Sequence, residues 1–255
     1  MQTEPVSLFI ETWRQMTSRL PAPRFADEDG VASCFSDVPN LFFNLWVQSR
    51  PAISEEEFRM LLATATQRAA ASAYPVGGII RDDWSPPGWE DIAKQAGLVP
   101  MVPMISMETD RLFEPRRPAA DLHIRRVIDD RGAADLAMLN ARAYGMPLEL
   151  WECVSGVHFW PSDCCAFVGY LGQTPVSCAA ALPINGTAYI ALVATAPEQQ
   201  GKGYAETVMR RAVAEGQRAM GVTRTTLHGS MMGHPLYRTM GYVSGPRLVL
   251  VGQQQ

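Results

Sequence analysis

The sequence predicts an α/β protein in two parts, and three observations carry this. Short runs with β-strand character alternate with helical patterns along most of the chain. Ala205, Val208, Met209, Ala212 and Val213 recur at i, i+3, i+4, i+7 and i+8, the apolar stripe of an amphipathic helix. The order helix, glycine, large apolar residue, valine, strand occurs twice, in "WEDIAKQAGLVP" and in "PLYRTMGYVSG". That likeness marks a degenerate internal repeat.

In chain order, "MQTEPVSLFIETWRQMTSRL" reads as an amphipathic helix, since it lacks the basic start and long apolar run of a signal peptide. "NLFFNLWVQS" reads as a strand. "SEEEFRMLLATATQRAAASAY" reads as a helix, with Ser54 and Glu57 spaced as a capping box. A strand "PVGGIIR", a short helix "GWEDIAKQAGL" ended by Gly97 and a strand "VPMVPMISM" follow. Two prolines and a charge cluster in "FEPRRPAADLH" mark a domain boundary, giving domains 1–118 and 119–255.

The second domain opens with the strand "HIRRVID" and the helix "DRGAADLAMLNARAYG", which stops at Gly145. "PLELWECVSGV" suits a second helix with Pro147 in its first turn. "CCAFVGYLG" and "TPVSCAAALPING" pair as a hairpin turning near Gly172, and "TAYIALVAT" follows a turn at Asn185-Gly186. After the long helix come a strand "TRTTLHGS", a short helix "HPLYRTMGY" stopped by Gly241, and a last strand "RLVLV".

Composition narrows the function. In 255 residues, 47% are hydrophobic and 19% charged, enough apolar side chains for packed cores. A net charge of −4 argues against nucleic acid as the main partner, which needs a dense Lys/Arg field. No run approaches the roughly 18 continuous apolar residues of a membrane span. Cys34, Cys153, Cys164, Cys165 and Cys178 form no CxxC pair, and adjacent strand cysteines face opposite ways. They read as reduced thiols in a soluble cytoplasmic protein, with no metal site.

Chemistry concentrates in "APEQQGKGYA", residues 196–205, between a strand and a helix. A helix N-terminus offers backbone N–H groups without partners and the positive end of a dipole. Gly201 and Gly203 leave room for a close approach of backbone to a ligand, so the junction is a candidate anion site. It is not a GxxxxGK[ST] loop, because Gly203 follows the lysine. It is not a GxGxxG turn either, because Glu206 stands at the last glycine.

The stretch Gln200-Gly201-Lys202-Gly203-Tyr204-Ala205, preceded by "VATAPEQ", resembles the pyrophosphate loop of the GNAT acetyltransferase superfamily, Gln/Arg-x-x-Gly-x-Gly/Ala. "SMMGHPLYRTMGYV" is similar to that family's last helix, where a Tyr precedes a Gly-aromatic pair by four residues: Tyr237, Gly241, Tyr242. The resemblance covers residues 121–250 well and 30–110 weakly. It implies a mixed, strongly twisted sheet flanked by helices, with acetyl-CoA between its splayed fourth and fifth strands. Leu192, Val193 and Ala194 would present backbone groups to the pantetheine arm and thioester. Gln200 to Ala205 would hold the pyrophosphate, with Lys202 either adding charge there or standing exposed. Ser230 stands where many members have an Asn that contacts the cofactor.

By the same resemblance, Tyr237 is the acid for the leaving thiolate; its phenol, of pKa about 10, lies close to a thiol at about 8.5. The competing reading is a ring packed under the sheet. A backbone N–H near Val193 would meet the oxyanion. Some members carry a Glu base on the cleft strand, and Tyr189 holds that position here. Glu149, Glu152, His158 and Asp163 lie in the segment walling the acceptor site; each reads first as solvated surface, with action through water left open. His228 reads as a structural histidine.

The N-terminal half has "PAISEEEFRM" in place of the glycine loop, and its three acids would repel a pyrophosphate. Ala93 stands four residues before Gly97, where Tyr237 stands before Gly241. That half is expected to bind no CoA and to cover a sheet edge or shape the acceptor pocket. The chain as a whole is expected to acetylate a small-molecule amine from acetyl-CoA by direct transfer in a ternary complex, since neither motif holds a cysteine. A non-catalytic CoA-binding module and a protein N-acetyltransferase are the alternatives, and a homodimer is compatible with each.

Overall fold

A computed structural model describes residues 4–118 and 120–253. The first three residues of the expected N-terminal helix, and Ala119, where the second expected domain begins, lie outside the described residues.

In chain order the elements are α1 (Pro5–Thr17), β1 (Arg24–Glu28), β2 (Val31–Phe35), β3 (Leu45–Gln48), α2 (Glu55–Ala70), β4 (Gly77–Arg81), α3 (Trp89–Gln95), β5 (Leu98–Thr109), β6 (His123–Arg126), α4 (Asp130–Tyr144), β7 (Cys165–Leu171), β8 (Thr174–Ile184), β9 (Thr187–Thr195), α5 (Tyr204–Met220), β10 (Thr225–Ser230), α6 (His234–Thr239) and β11 (Val243–Gln253). The series β3-α2-β4-α3-β5 and β9-α5-β10-α6-β11 have the same order, so the repeat extends to whole elements. The chain divides into two compact units. Unit 1 is Met1–Ser106, Gly229–His234 and Ser244–Gln255; unit 2 is Met107–His228 and Pro235–Val243.

In unit 1 the strand order is β1-β2-β3-β4-β11. β3 and β4 run parallel, as a crossover through α2 requires, and the other neighbours are antiparallel. The capping box forms: Ser54 Oγ accepts from Glu57 N at 3.1 Å, and a Glu57 oxygen accepts from Ile53 N, one residue before the cap, at 2.8 Å. Phe58, Leu61, Leu62 and Ala65 line the buried face of α2 against Trp46, Ile80, Trp89 and Val249. Full burial of each large side chain contributes about 1.5–3 kcal/mol.

Two features of this unit depart from the sequence reading. The expected strand over 40–49 begins as a 3₁₀ turn at Leu41–Phe43, because the Asn40 side chain accepts from Phe42 N and caps it. The β1–β2 hairpin had no counterpart in the sequence reading. It turns at Asp29-Gly30, both at positive φ (55° and 78°), the backbone of a type I′ turn.

In unit 2 the order is β10-β9-β8-β7-β6, with only β9 and β10 parallel. Turns at Gly172 and at Asn185-Gly186 join the antiparallel strands, again at positive φ. α5 buries Val208, Met209, Ala212 and Val213 over β8 and β9. Its Gly216 permits this approach, since a Cβ there would lie 2.7 Å from that of Ala181. α4 ends at Gly145 in the left-handed region. The expected helix after Pro147 is a 3₁₀ helix, Leu148–Val154.

Candidate active site

The parallel ladder of β9 and β10 pairs Ala188–Ile190 with Thr225–Leu227. Beyond it, β9 carries a bulge. Cys178 pairs with Ala194 and Ala180 with Ala191, so Leu192 and Val193 together oppose Ala179. Leu192 sits in the left-handed region at φ 52°, which β-carbons disfavour. An extra residue turns backbone groups out of the ladder, and such bulges gather next to functional sites. The three residues expected to face a thioester, Leu192, Val193 and Ala194, are the bulge and the residue after it.

Side chains of β8 hold the bulge. The buried Ser177 hydroxyl donates to Ala194 O at 3.0 Å and meets Thr195 Oγ1 at 2.8 Å. The buried Cys178 thiol donates to Leu192 O at 3.4 Å, and Asn140 Nδ2 of α4 donates to the sulfur at 3.4 Å. Sequence reading missed this set, because TAYIALVAT is apolar nearly throughout, with no alternation whose phase a bulge could visibly shift, and Leu192 is not a glycine.

Eight residues beyond Leu192 lies the loop Gln200–Ala205. Gly201 (φ 76°) and Gly203 (φ 84°) are both left-handed, and a Cβ on either would meet nothing within 4 Å. Their glycines therefore answer to backbone conformation, with open space beside them. Gly203 caps α5; among the described residues no side chain caps its first-turn N–H groups, the Thr207 hydroxyl donates to Gly203 O at 3.1 Å, and Glu206, the first-turn acid, is paired with Arg210 at 2.8 Å. Lys202 Nζ donates to Glu198 O at 3.2 Å and Gln199 Oε1 at 2.8 Å, which folds it back on its own loop. Tyr204 and Ala205 are half-buried in the first turn of α5. Arg142 of α4 holds Glu198, at the loop's start, through two bonds of 2.8 and 2.9 Å.

α2 shows the contrast. Its first turn carries Glu55, Glu56 and Glu57, and the Ser54 side chain bonds inside the cap. A helix start satisfied by its own side chains and three carboxylates repels anions; one capped by glycine leaves its N–H groups for an outside acceptor.

Tyr237 is buried in α6, its ring edge-on to Tyr242 at 6.1 Å. Its carbonyl accepts from Met240 N and Tyr242 N, which fixes the turn at Gly241. Burial, with Tyr144 and Tyr242 beside it, pushes the Tyr237 phenol up, so it stays protonated through the physiological range. The Tyr242 hydroxyl is bonded to Thr225 Oγ1. Tyr189 is buried on β9 and its hydroxyl meets His228 Nδ1 at 2.8 Å, the rings stacked at 5.8 Å. Desolvation pushes the His228 imidazole down to about 3, so it is neutral near pH 7.

Ser230, at the end of β10, falls in unit 1, where its hydroxyl accepts from Gly233 N at 3.4 Å. The remaining cofactor candidates and Tyr237 all fall in unit 2. Glu149, Glu152, His158 and Asp163 are exposed. All five cysteines are free, and burial pushes Cys34, Cys153 and Cys178 up to about 12. Among the described residues no group of three or more His, Cys, Asp or Glu is placed to hold a metal ion, and no helix is long and apolar enough to cross a membrane. A cavity of about 400 Å³ in unit 1 holds none of the candidate residues, and two of its acids are engaged: Asp82 by Trp89 and Arg247, Asp83 by Arg81.

Comparison with known proteins bears on the fold. Solved structures share the fold along nearly the whole chain. A GCN5-related N-acetyltransferase from Kribbella flavida is 19% identical with a TM-score of 0.70, covering 100% of this chain and 97% of that one. A functionally unknown conserved protein from Staphylococcus epidermidis ATCC 12228 is 14% identical (TM-score 0.65; 92% and 95% covered). A GCN5-related N-acetyltransferase from Sphaerobacter thermophilus is 16% identical (TM-score 0.55; 88% and 76% covered). No curated protein matches the sequence. Residues 135–242, which hold the bulge, the glycine loop and Tyr237, match the acetyltransferase (GNAT) family, so this stretch of the chain is a GNAT domain.

Proposed function

We propose that the chain is an acetyl-CoA-dependent N-acetyltransferase acting on a small-molecule amine. The observation that carries this is the pairing, in one unit, of a bulged strand with a glycine-capped helix start whose cap no side chain occupies. The division into a GNAT-like domain 1–118 without a CoA site and a catalytic domain 119–255 is part of the proposal.

Backbone N–H groups of Gly201 to Ala205 bind the pyrophosphate, with the dipole of α5 behind them. Lys202 releases its contacts with Glu198 and Gln199 to add charge there. Leu192 to Ala194 bind the arm. The amine, once neutral, attacks the thioester carbonyl carbon through its lone pair. A C–N bond forms and the carbonyl oxygen takes the negative charge, facing Val193 N–H. As the oxyanion collapses, the C–S bond breaks and Tyr237 gives its proton to the departing thiolate. The raised Tyr237 pKa makes it a reservoir that never loses its proton to bulk water; the same dry surroundings raise the thiolate's affinity for that proton. The nitrogen's proton leaves to solvent, and the Tyr237 phenolate takes one back from solvent as the site reopens, which restores the acid.

A second reading, a CoA-binding module without catalysis, draws on one observation. The cleft-strand position that carries a Glu in some relatives is Tyr189, engaged by His228. Thiol release from acetyl-CoA with a panel of amines separates the two. The enzyme reading expects release dependent on the amine, and Tyr237→Phe lowers kcat by about 10²-fold with KM for acetyl-CoA little changed. Binding without amine-dependent release would favour the module, and a Tyr237→Phe protein with full turnover would remove the acid role.

A further inference from the structure

We infer that Cys178 is a positioning residue whose thiol, held by Asn140, sets the peptide plane between Leu192 and Val193 and so aims the Val193 N–H. The inference rests on the proposed function for its catalytic meaning, and on β8 and β9 alone for its geometry.

A peptide unit is planar and trans, so the carbonyl of one residue and the N–H of the next point in opposite directions. Leu192 O accepts from the Cys178 thiol. The Val193 N–H must then point away from Cys178 and out of the β8 ladder. Leu192 is left-handed, a conformation that costs an L-residue energy and persists only where its surroundings hold it. The thiol bond is one such hold, and the Ser177 bond to Ala194 O is the next along the strand.

The thiol is itself held. A sulfhydryl rotor can point its hydrogen several ways. Asn140 Nδ2 donates to the sulfur and to Leu136 O at 3.0 Å, so the sulfur is the acceptor on that side and its hydrogen is left for Leu192 O. The amide cannot be reversed, because its oxygen would then face the Leu136 carbonyl. Asn140 is fully buried, and among the described residues its Oδ1 has no partner. A buried acceptor left unmet costs stability that an apolar residue at that position would not. Cys178 never ionises near neutrality, since burial pushes its thiol up to about 12, so the S–H donor persists at every working pH.

The test uses the full chain, with Cys178→Ala, Cys178→Ser and Asn140→Leu. The Val193 amide resonance is followed by NMR without ligand, and turnover by thiol release. The expected wild-type signal is a single sharp Val193 peak. Cys178→Ala broadens or doubles it and speeds its hydrogen exchange, lowers kcat about tenfold, below the full loss of an oxyanion donor, and leaves KM for acetyl-CoA within twofold. Cys178→Ser restores the donor, the single peak and most of kcat. Asn140→Leu, which leaves β8 intact, shifts the same peak to a lesser extent. An unchanged Val193 peak in Cys178→Ala overturns the inference whether or not the chain turns over. A wild type that neither binds nor cleaves acetyl-CoA overturns the proposed function instead, while the peak still decides the bridge.

Discussion

At Tyr189 the phenol meets a neutral imidazole, and this pair has a measurable signature. His228 is lowered from 6.5 to about 3 by desolvation. The unfolded chain therefore takes up a proton near pH 6.5 that the folded chain refuses until about pH 3. Its contribution to stability is fully present above pH 6.5 and is lost as pH falls toward 3, by up to about 1.4 kcal/mol per pH unit. Urea unfolding of wild type and His228→Gln between pH 7.5 and 4.5 checks this. The wild type is expected to lose more stability over that range than the variant, and parallel curves would contradict it. Structural positions were legible where a motif fixed their spacing, as with Gly203 at the start of α5 or Tyr237 before the turn at Gly241. They were not legible where function lies in backbone: nothing in the letters Leu192-Val193 announces a left-handed residue. Asn140 and Cys178 read as an ordinary helix residue and a buried thiol, because what they do depends on a strand and a helix meeting.

The start of α5 is the element whose change should matter most. Gly203→Glu places a side chain at φ 84° and a carboxylate at the positive end of the helix. Calorimetry is expected to show acetyl-CoA binding weakened about 100-fold or more, about 2.7 kcal/mol, with the protein still folded. Binding within threefold of wild type would remove the loop from the site. Most elements followed from periodicity and from punctuation by glycine and proline. The misreadings are local: Asn40 caps a 3₁₀ turn inside a run that looks like a strand, and the segment after Pro147 closes its turns at 3₁₀ spacing, Leu150 N to Pro147 O and Ser155 N to Glu152 O. The β1–β2 hairpin did carry a signal, Asp29-Gly30 between short runs, that went unread because Arg24–Glu28 is polar and mostly exposed.

Over the whole molecule, two series of five elements share one order, yet their helix starts have opposite chemistry. α2 is closed by Ser54 and surrounded by acids; α5 is open and glycine-capped. The repeat was visible in the sequence through two short helices and their glycines. The two compact units are not continuous in sequence: β11, last in the chain, pairs with β4 and belongs to unit 1. Two like halves with one anion cradle predict a single acetyl-CoA per chain by calorimetry; two equivalent sites would contradict the account of α2. The central claim, acetyl transfer to an amine, is tested most directly by following free thiol from acetyl-CoA as small primary amines are added to the wild-type chain. The account predicts that at least one amine raises release well above the amine-free rate and that the N-acetylated amine accumulates with it, one for each thiol. Release that no amine raises, in a chain that still binds acetyl-CoA, would contradict it.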